Sequence, residues 1–293
     1  MRTKLMILAA LIGFCLCANA ENVKKTYDLS FNGIEVTSGF DIQLIKDDTH
    51  SVTVEVDSEY APYLSVTTES GVLKVRFKKL PVKMQMQSRK ADFKMTIRTP
   101  MINFIDLSGA CKLECKDEFS LGMNNFRVTL SGASNIVSLK VNSIDASFRL
   151  SGASKANIDG EFGDFEVYLE GASKMTYNGS CSDLDAKVLS SSDYKMTGPC
   201  PEVNLEVKGA SKAELVGNGE ELDAEVAGAS KLKAEEFHVR SAKIDAKGAS
   251  NVTIDASESL KADVSGAASV KYRDRSGLRL NPMVSGGGTF KTL

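Results

Sequence analysis

The chain lacks residues on which many protein functions depend. It has no tryptophan and only two histidines, His50 and His238, among its 293 residues. Neither histidine has a cysteine or a second histidine at metal-ligand spacing, so we expect no metal site and no cofactor. The 36 basic and 38 acidic residues nearly cancel, to a net charge of −2, which leaves no basic footprint for nucleic acid.

Long apolar segments are also scarce, and the one that could be a membrane span or a signal peptide lies at the N-terminus. Arg2 and Lys4 precede an apolar run over residues 5–16, which is too short to cross a bilayer. Ala18-Asn19-Ala20 follows it as a small-residue cleavage site, so residues 1–20 are typical of a secretory signal peptide. We expect a mature chain without a transmembrane segment, exported to the periplasm, the cell surface or the medium.

A lipoprotein signal is the less favoured alternative for the same segment. Cys15 and Cys17 could carry a lipid, but Phe14 and Leu16 precede them where a small residue is expected.

One short motif, Gly-Ala-Ser-Lys with small variations, recurs about every twenty residues from Leu107 to the C-terminus. Its first residue, here named the marker, is serine in the degenerate copy Ser190-Ser191-Ser192-Asp193 and glycine in the last copy, at Gly286. The remaining markers are Gly109, Gly132, Gly152, Gly171, Gly209, Gly228, Gly248 and Gly266. Such regular recurrence predicts a repeat architecture.

Apolar residues alternate on both sides of each marker. Phe165, Val167 and Leu169 precede Gly171, while Met175 and Tyr177 follow it. Alternation predicts strands, so each repeat should hold two strands joined by a corner. Glycine would supply the unusual backbone angle there, and we expect the alanine after it to point inward, where a turned wall leaves little room.

A unit of two short strands cannot bury its inner face alone, whereas stacked copies can, with strands about 4.8 Å apart. The sequence therefore predicts an all-β protein whose residues 101–293 form a right-handed parallel β-helix, the usual sense of parallel crossovers. Leucine-rich repeats and propeller blades do not fit the motif or its length. Residues 21–100 should form a β-rich N-terminal part that packs on this solenoid, with an exposed loop over residues 78–90.

Several segments resemble a known family. The stretches FNGIEVTSGFDIQL, ESGVLKVRF and TPMINFIDLSGA, followed by LSGASK-type repeats, resemble the head GIN domain of secreted Bacteroidetes proteins, described as autotransporter-adhesin heads. The resemblance extends from Tyr27 to Gly288. It implies a β-helical extracellular module with an adhesive role and without an assigned catalytic site.

The repeated polar residues suggest what such a module could do. A serine follows most markers by two positions, and a column of equivalent serines is better explained by corner hydrogen bonds than by a nucleophile. Charged residues form columns too, and we expect a lysine column to bind an anionic or neutral glycan or a host-matrix component: Lys155, Lys174, Lys212 and Lys231.

Two other functions stay open at this point. A carbohydrate-active β-helix enzyme, a lyase or a hydrolase, would place its site on an acidic face, but repeat spacing near twenty residues leaves no long insertion to build a cleft. A structural spacer without a ligand is the third possibility. We favour a non-catalytic binding or adhesion module.

Four cysteines remain after export, in a compartment that favours disulfides. Cys111 and Cys115 are too far apart in an extended strand to pair, about 13 Å between Cα atoms. Cys181 and Cys200 each follow their marker by ten residues, so stacking should bring them within bridging distance. We predict a Cys181–Cys200 disulfide beside the degenerate copy at Ser190.

Overall fold

The computed structural model describes residues 22–88 and 92–293, and the expected signal peptide lies outside them. The described chain is nearly all β-structure, in one 22-stranded sheet. A 3-10 turn at Ala61–Tyr63 and one short helix, α1 (Val82–Gln87), complete it.

The strands follow one another with few long connections. Those of the N-terminal part are β1 (Asn22–Tyr27), β2 (Gly33–Thr37), β3 (Phe40–Lys46), β4 (Ser51–Asp57), β5 (Leu64–Glu69), β6 (Val72–Phe77) and β7 (Phe93–Thr99). Those of the repeats are β8 (Phe104–Ser108), β9 (Lys112–Ser120), β10 (Phe126–Leu130), β11 (Asn135–Leu150), β12 (Lys155–Leu169), β13 (Lys174–Val188), β14 (Asp193–Thr197), β15 (Glu202–Val207), β16 (Lys212–Asn218), β17 (Glu221–Val226), β18 (Lys231–Ala246), β19 (Asn251–Val264), β20 (Ser269–Tyr272), β21 (Arg279–Val284) and β22 (Thr289–Thr292).

These strands stack as two parallel ladders, one on each side of the markers. The pre-corner ladder holds β2, β8, β10, the C-terminal halves of β11 to β13, then β15, β17, the C-terminal halves of β18 and β19, and β21. The post-corner ladder holds β3, β9, the N-terminal halves of β11 to β13, β14, β16, the N-terminal halves of β18 and β19, β20 and β22. The protein is thus a β-solenoid, as the repeat predicted; its right-handed sense stays a prediction.

Side chains of successive turns meet inside the solenoid and form one continuous core. Phe126, Phe148 and Phe165 follow one another with ring centroids 5.8 and 5.6 Å apart, and Tyr177 packs on Phe165 at 4.7 Å. All four rings are buried. Each turn therefore buries its apolar side chains only because a neighbouring turn covers them.

The corners explain why the markers are glycine. Every marker has a positive φ, from +66° at Gly286 to +92° at Gly109, and Ser190 adopts +69° in the degenerate copy. A Cβ atom added at Gly171 would lie 2.6 Å from the carbonyl oxygen of Gly152 in the turn before. Both the left-handed backbone angle and the close approach of the preceding turn favour glycine at the marker, although serine occupies it in the degenerate copy.

The expected inward position of the corner alanine is wrong. Ala153 and Ala172 are exposed, whereas the serines that follow them, Ser154 and Ser173, are buried. Because the marker has a positive φ, the side chain of the next residue, alanine, points outward, and the side chain of the following serine points inward again. A hydroxyl fits inside because it bonds locally: Ser173 Oγ donates to the Glu170 carbonyl at 2.8 Å.

A second glycine column lies at the opposite bend of the solenoid. A Cβ atom at Gly160, Gly179, Gly198 or Gly217 would lie 1.7 to 2.2 Å from a carbonyl oxygen of the preceding turn. These four glycines recur at the repeat spacing, so the sequence contained this signal beside the more obvious markers.

The sheet runs without a break across the expected boundary near residue 100. β2 pairs in parallel with β8, and β3 with β9, so a solenoid turn already exists at residues 33–46. Ser38 takes the marker position there, with φ +86°. β6 and β7 stack on the other side of this turn, and the antiparallel strands β1, β4 and β5 cover that end.

The expected loop over residues 78–90 contains a helix instead. Pro81 stands at its N-cap, and the Gln85 N–H donates to the Pro81 carbonyl at 2.9 Å. Proline is favoured at helix starts because its fixed φ suits the first turn and it lacks an N–H to satisfy.

Valine at Gly152 or Gly171 should destabilise the protein by about 2–5 kcal/mol. The substitution forces a β-branched residue into the left-handed region and places its Cβ against the carbonyl of the preceding turn. Denaturant unfolding measures this, with Ala172→Ser at an exposed neighbour as the control, for which we expect a change within about 0.5 kcal/mol. Unchanged midpoints for both glycine variants would contradict the corner geometry.

Candidate functional site

The lysines predicted to bind a ligand lie in one column of the post-corner ladder. In-register pairing joins Lys155 to Lys174, and Lys212 to Lys231. Asp193 pairs with Lys174 on one side and Lys212 on the other. The column is therefore two lysine pairs with one aspartate between them, about 4.8 Å per step.

Only one of these lysines forms an ion pair within residues 22–88 and 92–293. Lys212 Nζ lies 2.8 Å from Glu214, which also accepts a hydrogen bond from Lys195 at 2.9 Å. These two hydrogen bonds lower the pKa of Glu214 to about 2. Lys155, Lys174 and Lys231 remain exposed cations.

A column of acidic residues lies where the segments of the pre-corner ladder begin. In-register pairs place five acids in successive turns: Asp145, Asp164, Asp183, Glu202 and Glu221. Burial and then repulsion from Asp164 and Asp185 raise the pKa of Asp183. This column was not recognised from the sequence.

The acids nearer the marker are largely neutralised. Lys208 Nζ lies 2.7 Å from Glu206 and 2.8 Å from Glu225, while Lys247 Nζ lies 2.6 Å from Asp245. Like charges that stack in neighbouring turns are thus separated by counter-charges, which removes the repulsion that a bare column would have.

Two shallow depressions lie on the described surface of the solenoid. One of about 200 Å³ lies beside β3 and β9, lined by Leu44, Glu114 and Asp117 among others. Another, of about 240 Å³, lies at the C-terminal end beside Lys247 and Asp263. Both are smaller than the roughly 300–1,000 Å³ of usual small-molecule sites, so a flat, extended ligand suits this surface better.

The repeat serines are buried at the corners rather than exposed on a face. Ser154 Oγ donates to the Ser151 carbonyl at 2.8 Å, and Ser134 and Ser211 make the equivalent bond. Their hydroxyls close the corner, as the sequence predicted. Across the part of the chain that the structure describes, no three His, Cys, Asp or Glu side chains are placed to hold a metal ion.

All four described cysteines are free thiols and buried. The Cys181 N–H donates to the Pro199 carbonyl at 3.2 Å, so Cys181 and Cys200 lie in neighbouring turns, and a hydrogen bond with Cys200, followed by burial, raises the pKa of Cys181. The predicted disulfide is not formed in this structure and stays a prediction. Burial raises the pKa of Cys115 to about 11, and this thiol bonds to the Asp117 carbonyl.

A cluster around Asp255 breaks the repetition near the C-terminal end. The Asp255 carboxylate, 1% exposed, lies 2.5 Å from Arg275 Nε, 2.6 Å from Arg275 Nη2 and 2.5 Å from His238 Nδ1. Arg273 Nε lies 3.2 Å from the same carboxylate. The sequence identifies His238 as one of two histidines but gives no sign of these partners, which lie in other turns.

Extra residues in β18 create this cluster. Ala234 pairs with Ile254 and His238 with Asp255, so residues 235–237 have no counterpart in β19. Burial opposes ionisation of Asp255, yet the hydrogen bonds from Arg275 and His238 outweigh it and lower the pKa of Asp255.

The geometry defines a β-solenoid protein with flat outer faces and charged columns in register. A family described as "Putative auto-transporter adhesin, head GIN domain" matches residues 30–197 and 169–275. The chain belongs to this family, as its sequence motifs indicated. Within the described ranges, the chain has no helix that is long and apolar enough to cross a membrane.

Solved structures show the same fold at low sequence identity. A crystal structure of a "putative adhesin" from Parabacteroides distasonis has a TM-score of 0.52 and 18% identity, over 93% of this chain and 97% of that one. Another, from Parabacteroides merdae, has a TM-score of 0.52 and 16% identity, over 94% and 97%. No curated protein matches the chain.

Protein secreted under oxidising conditions should contain a Cys181–Cys200 disulfide, because the two residues lie in neighbouring turns and the bond would close a loop of about twenty residues. The bond should add about 3 kcal/mol of stability. Non-reducing peptide mapping measures the linkage, and a Cys200→Ala variant provides the control. Free thiols at both positions would contradict the prediction.

Asp255 should stabilise the fold only while it is ionised. Its pKa is lower in the folded chain than the roughly 3.9 of an unfolded aspartate, so its stabilisation is complete above that value and is lost as pH falls through the folded pKa. Asp255→Asn should cost about 1–3 kcal/mol at pH 7. Melting curves from pH 7 downward measure this, and a cost of the substitution that did not shrink as the pH fell would contradict it.

Proposed function

We propose that the protein is an exported, non-catalytic adhesion module whose post-corner face binds an extended anionic glycan or host-matrix component. The observation that carries the proposal is the lysine column, which the register of the ladder holds in line: Lys155, Lys174, Lys212 and Lys231. A polymer with regularly spaced anionic groups could contact several lysines of this column at once.

Family membership supports the coarser part of this proposal. The family is described as an adhesin head, which is consistent with surface location and with binding rather than catalysis. The flat surface agrees, since a polymer lying across several turns needs no cleft. The ligand chemistry is our inference from the exposed cations.

The acidic column favours a second candidate, a glycan-cleaving enzyme. Stacked carboxylates such as Asp164 and Asp183 are about 5 Å apart, close to the separation in retaining glycosidases, and Asp183 has a raised pKa. These side chains, however, lie on one side of any ligand, whereas glycosidases place two carboxyl groups on opposite sides of the bond. We therefore favour binding.

Reversal of the lysine column should abolish binding to a sulfated or uronate-containing glycosaminoglycan. Glutamate at Lys155, Lys174, Lys212 and Lys231 removes four surface ion pairs of about 0.5–1 kcal/mol each, which weakens affinity at least thirtyfold. Immobilised polysaccharide with a neutral dextran reference measures this, and the melting temperature shows whether the variant folds.

A matched variant separates local recognition from overall charge. Glutamate at Lys25, Lys78, Lys79 and Lys83 changes the net charge equally, at exposed positions near the other end of the molecule. Its affinity should stay within about threefold of the natural chain. Equal loss in both variants, or loss in this variant alone, would refute the lysine column as the site.

A further inference from the structure

The cluster around Asp255 brings together ionisable groups from three consecutive turns. His238 lies in β18, Asp255 in β19, and Arg273 and Arg275 follow β20. The carboxylate is 1% exposed, while the side chains of His238, Arg273 and Arg275 are 59%, 50% and 39% exposed. A buried anion therefore holds three cation-forming groups with their outer atoms in water.

The outer atoms of this cluster keep unused hydrogen-bonding capacity. Arg275 donates hydrogen bonds from Nε and Nη2 to the Asp255 carboxylate. Arg273 donates from Nη2 to the Glu235 carbonyl at 3.3 Å. Among the residues that the structure describes, Nη1 of both arginines and Nε2 of His238 have no partner. Three nitrogen atoms of this cluster thus remain available to a ligand.

Both arginines share one ion-pair partner. Their guanidinium groups, which stay protonated in proteins, form ion pairs with Asp255 alone among the acids of the described chain. Asp274 stands between the two arginines in the sequence, but neither Asp274 nor Glu236 forms an ion pair with them among the described residues. Glu235 directs its carboxylate to the hydroxyl of Thr253. Arginine held by two parallel bonds is also well placed, because its orientation is fixed before a ligand arrives.

We infer that His238, Arg273 and Arg275, oriented by Asp255, form a binding site for a single oxyanion, the carboxylate or sulfate group of an acidic sugar. Planar guanidinium groups match the oxygen spacing of both anions. The site is separate from the lysine column and does not depend on it. It would bind one anionic group at one place on the solenoid, whereas the column would bind charges that repeat along several turns.

The two histidines of the chain make the test specific. We would label the histidine rings of the mature protein isotopically and record their resonances by NMR during titration with sodium glucuronate, sodium sulfate and glucose at constant ionic strength. His50 is an internal reference, since it lies in the N-terminal part with Nε2 2.8 Å from the Phe31 carbonyl. A His238→Gln variant assigns the signals.

We expect a saturable shift of the His238 resonance with glucuronate, sulfate or both, and none with glucose or at His50. Arg275→Gln should weaken the apparent affinity at least tenfold. Arg273→Gln, which retains the paired bonds between Arg275 and Asp255, should weaken it too and covers the case in which the first variant does not fold. A response to glucuronate alone indicates a uronate or another carboxylate, and a response to sulfate alone indicates a sulfated sugar.

Other results would overturn the inference. These are no saturable shift at His238 with either anion, an equal response at His50, an equal response to glucose, or unchanged affinity in both arginine variants. The lysine-column variant with four glutamates should keep the His238 response, so failure of the column proposal and failure of this inference can be told apart.

Discussion

The solenoid depends on one repeated contact, the hydrogen bond between corners of successive turns. From Ala133 to Ala267, the N–H of the residue after the marker donates to the marker carbonyl one turn earlier, at 2.7 Å for Ala133, Ala153 and Ala172. So close an approach disfavours a Cβ atom at the marker and fixes the step between turns. Because the step is fixed, equivalent positions must meet, and the register of both ladders, the stacked core and the charge columns all follow from it.

This dependence explains which features the sequence could predict. The spacing of markers and the alternation around them predicted two strands per turn and parallel stacking, since both follow from repetition. The direction of the corner residues was mispredicted because it depends on the sign of φ at the marker, which turns Ala172 outward and Ser173 inward. The turn at residues 33–46 was not recognised because Ser38 replaces the marker glycine.

Of the two candidate sites, one could be predicted from the sequence and the other could not. The lysine column could be predicted because its residues are equivalent positions, and pairing at the repeat spacing is a property of the whole fold. Its electrostatics could not, since the pairing of Lys212 with Glu214 depends on side-chain direction. The Asp255 cluster was hidden because residues 235–237 shift the register locally, so positions that meet in space are not equivalent in the repeat.

Repetition itself limits what such a surface can recognise. A column of equivalent residues offers every turn the same contact, so a ligand could shift by one turn at little cost, and affinity would come without a defined position. Departures from the repeat remove this degeneracy. Asp193 interrupts the lysines at the degenerate turn, and the Asp255 cluster ends the regular faces near the C-terminus. A ligand that engaged both a column and one such departure would be held in a single register, which is how a repetitive fold acquires specificity.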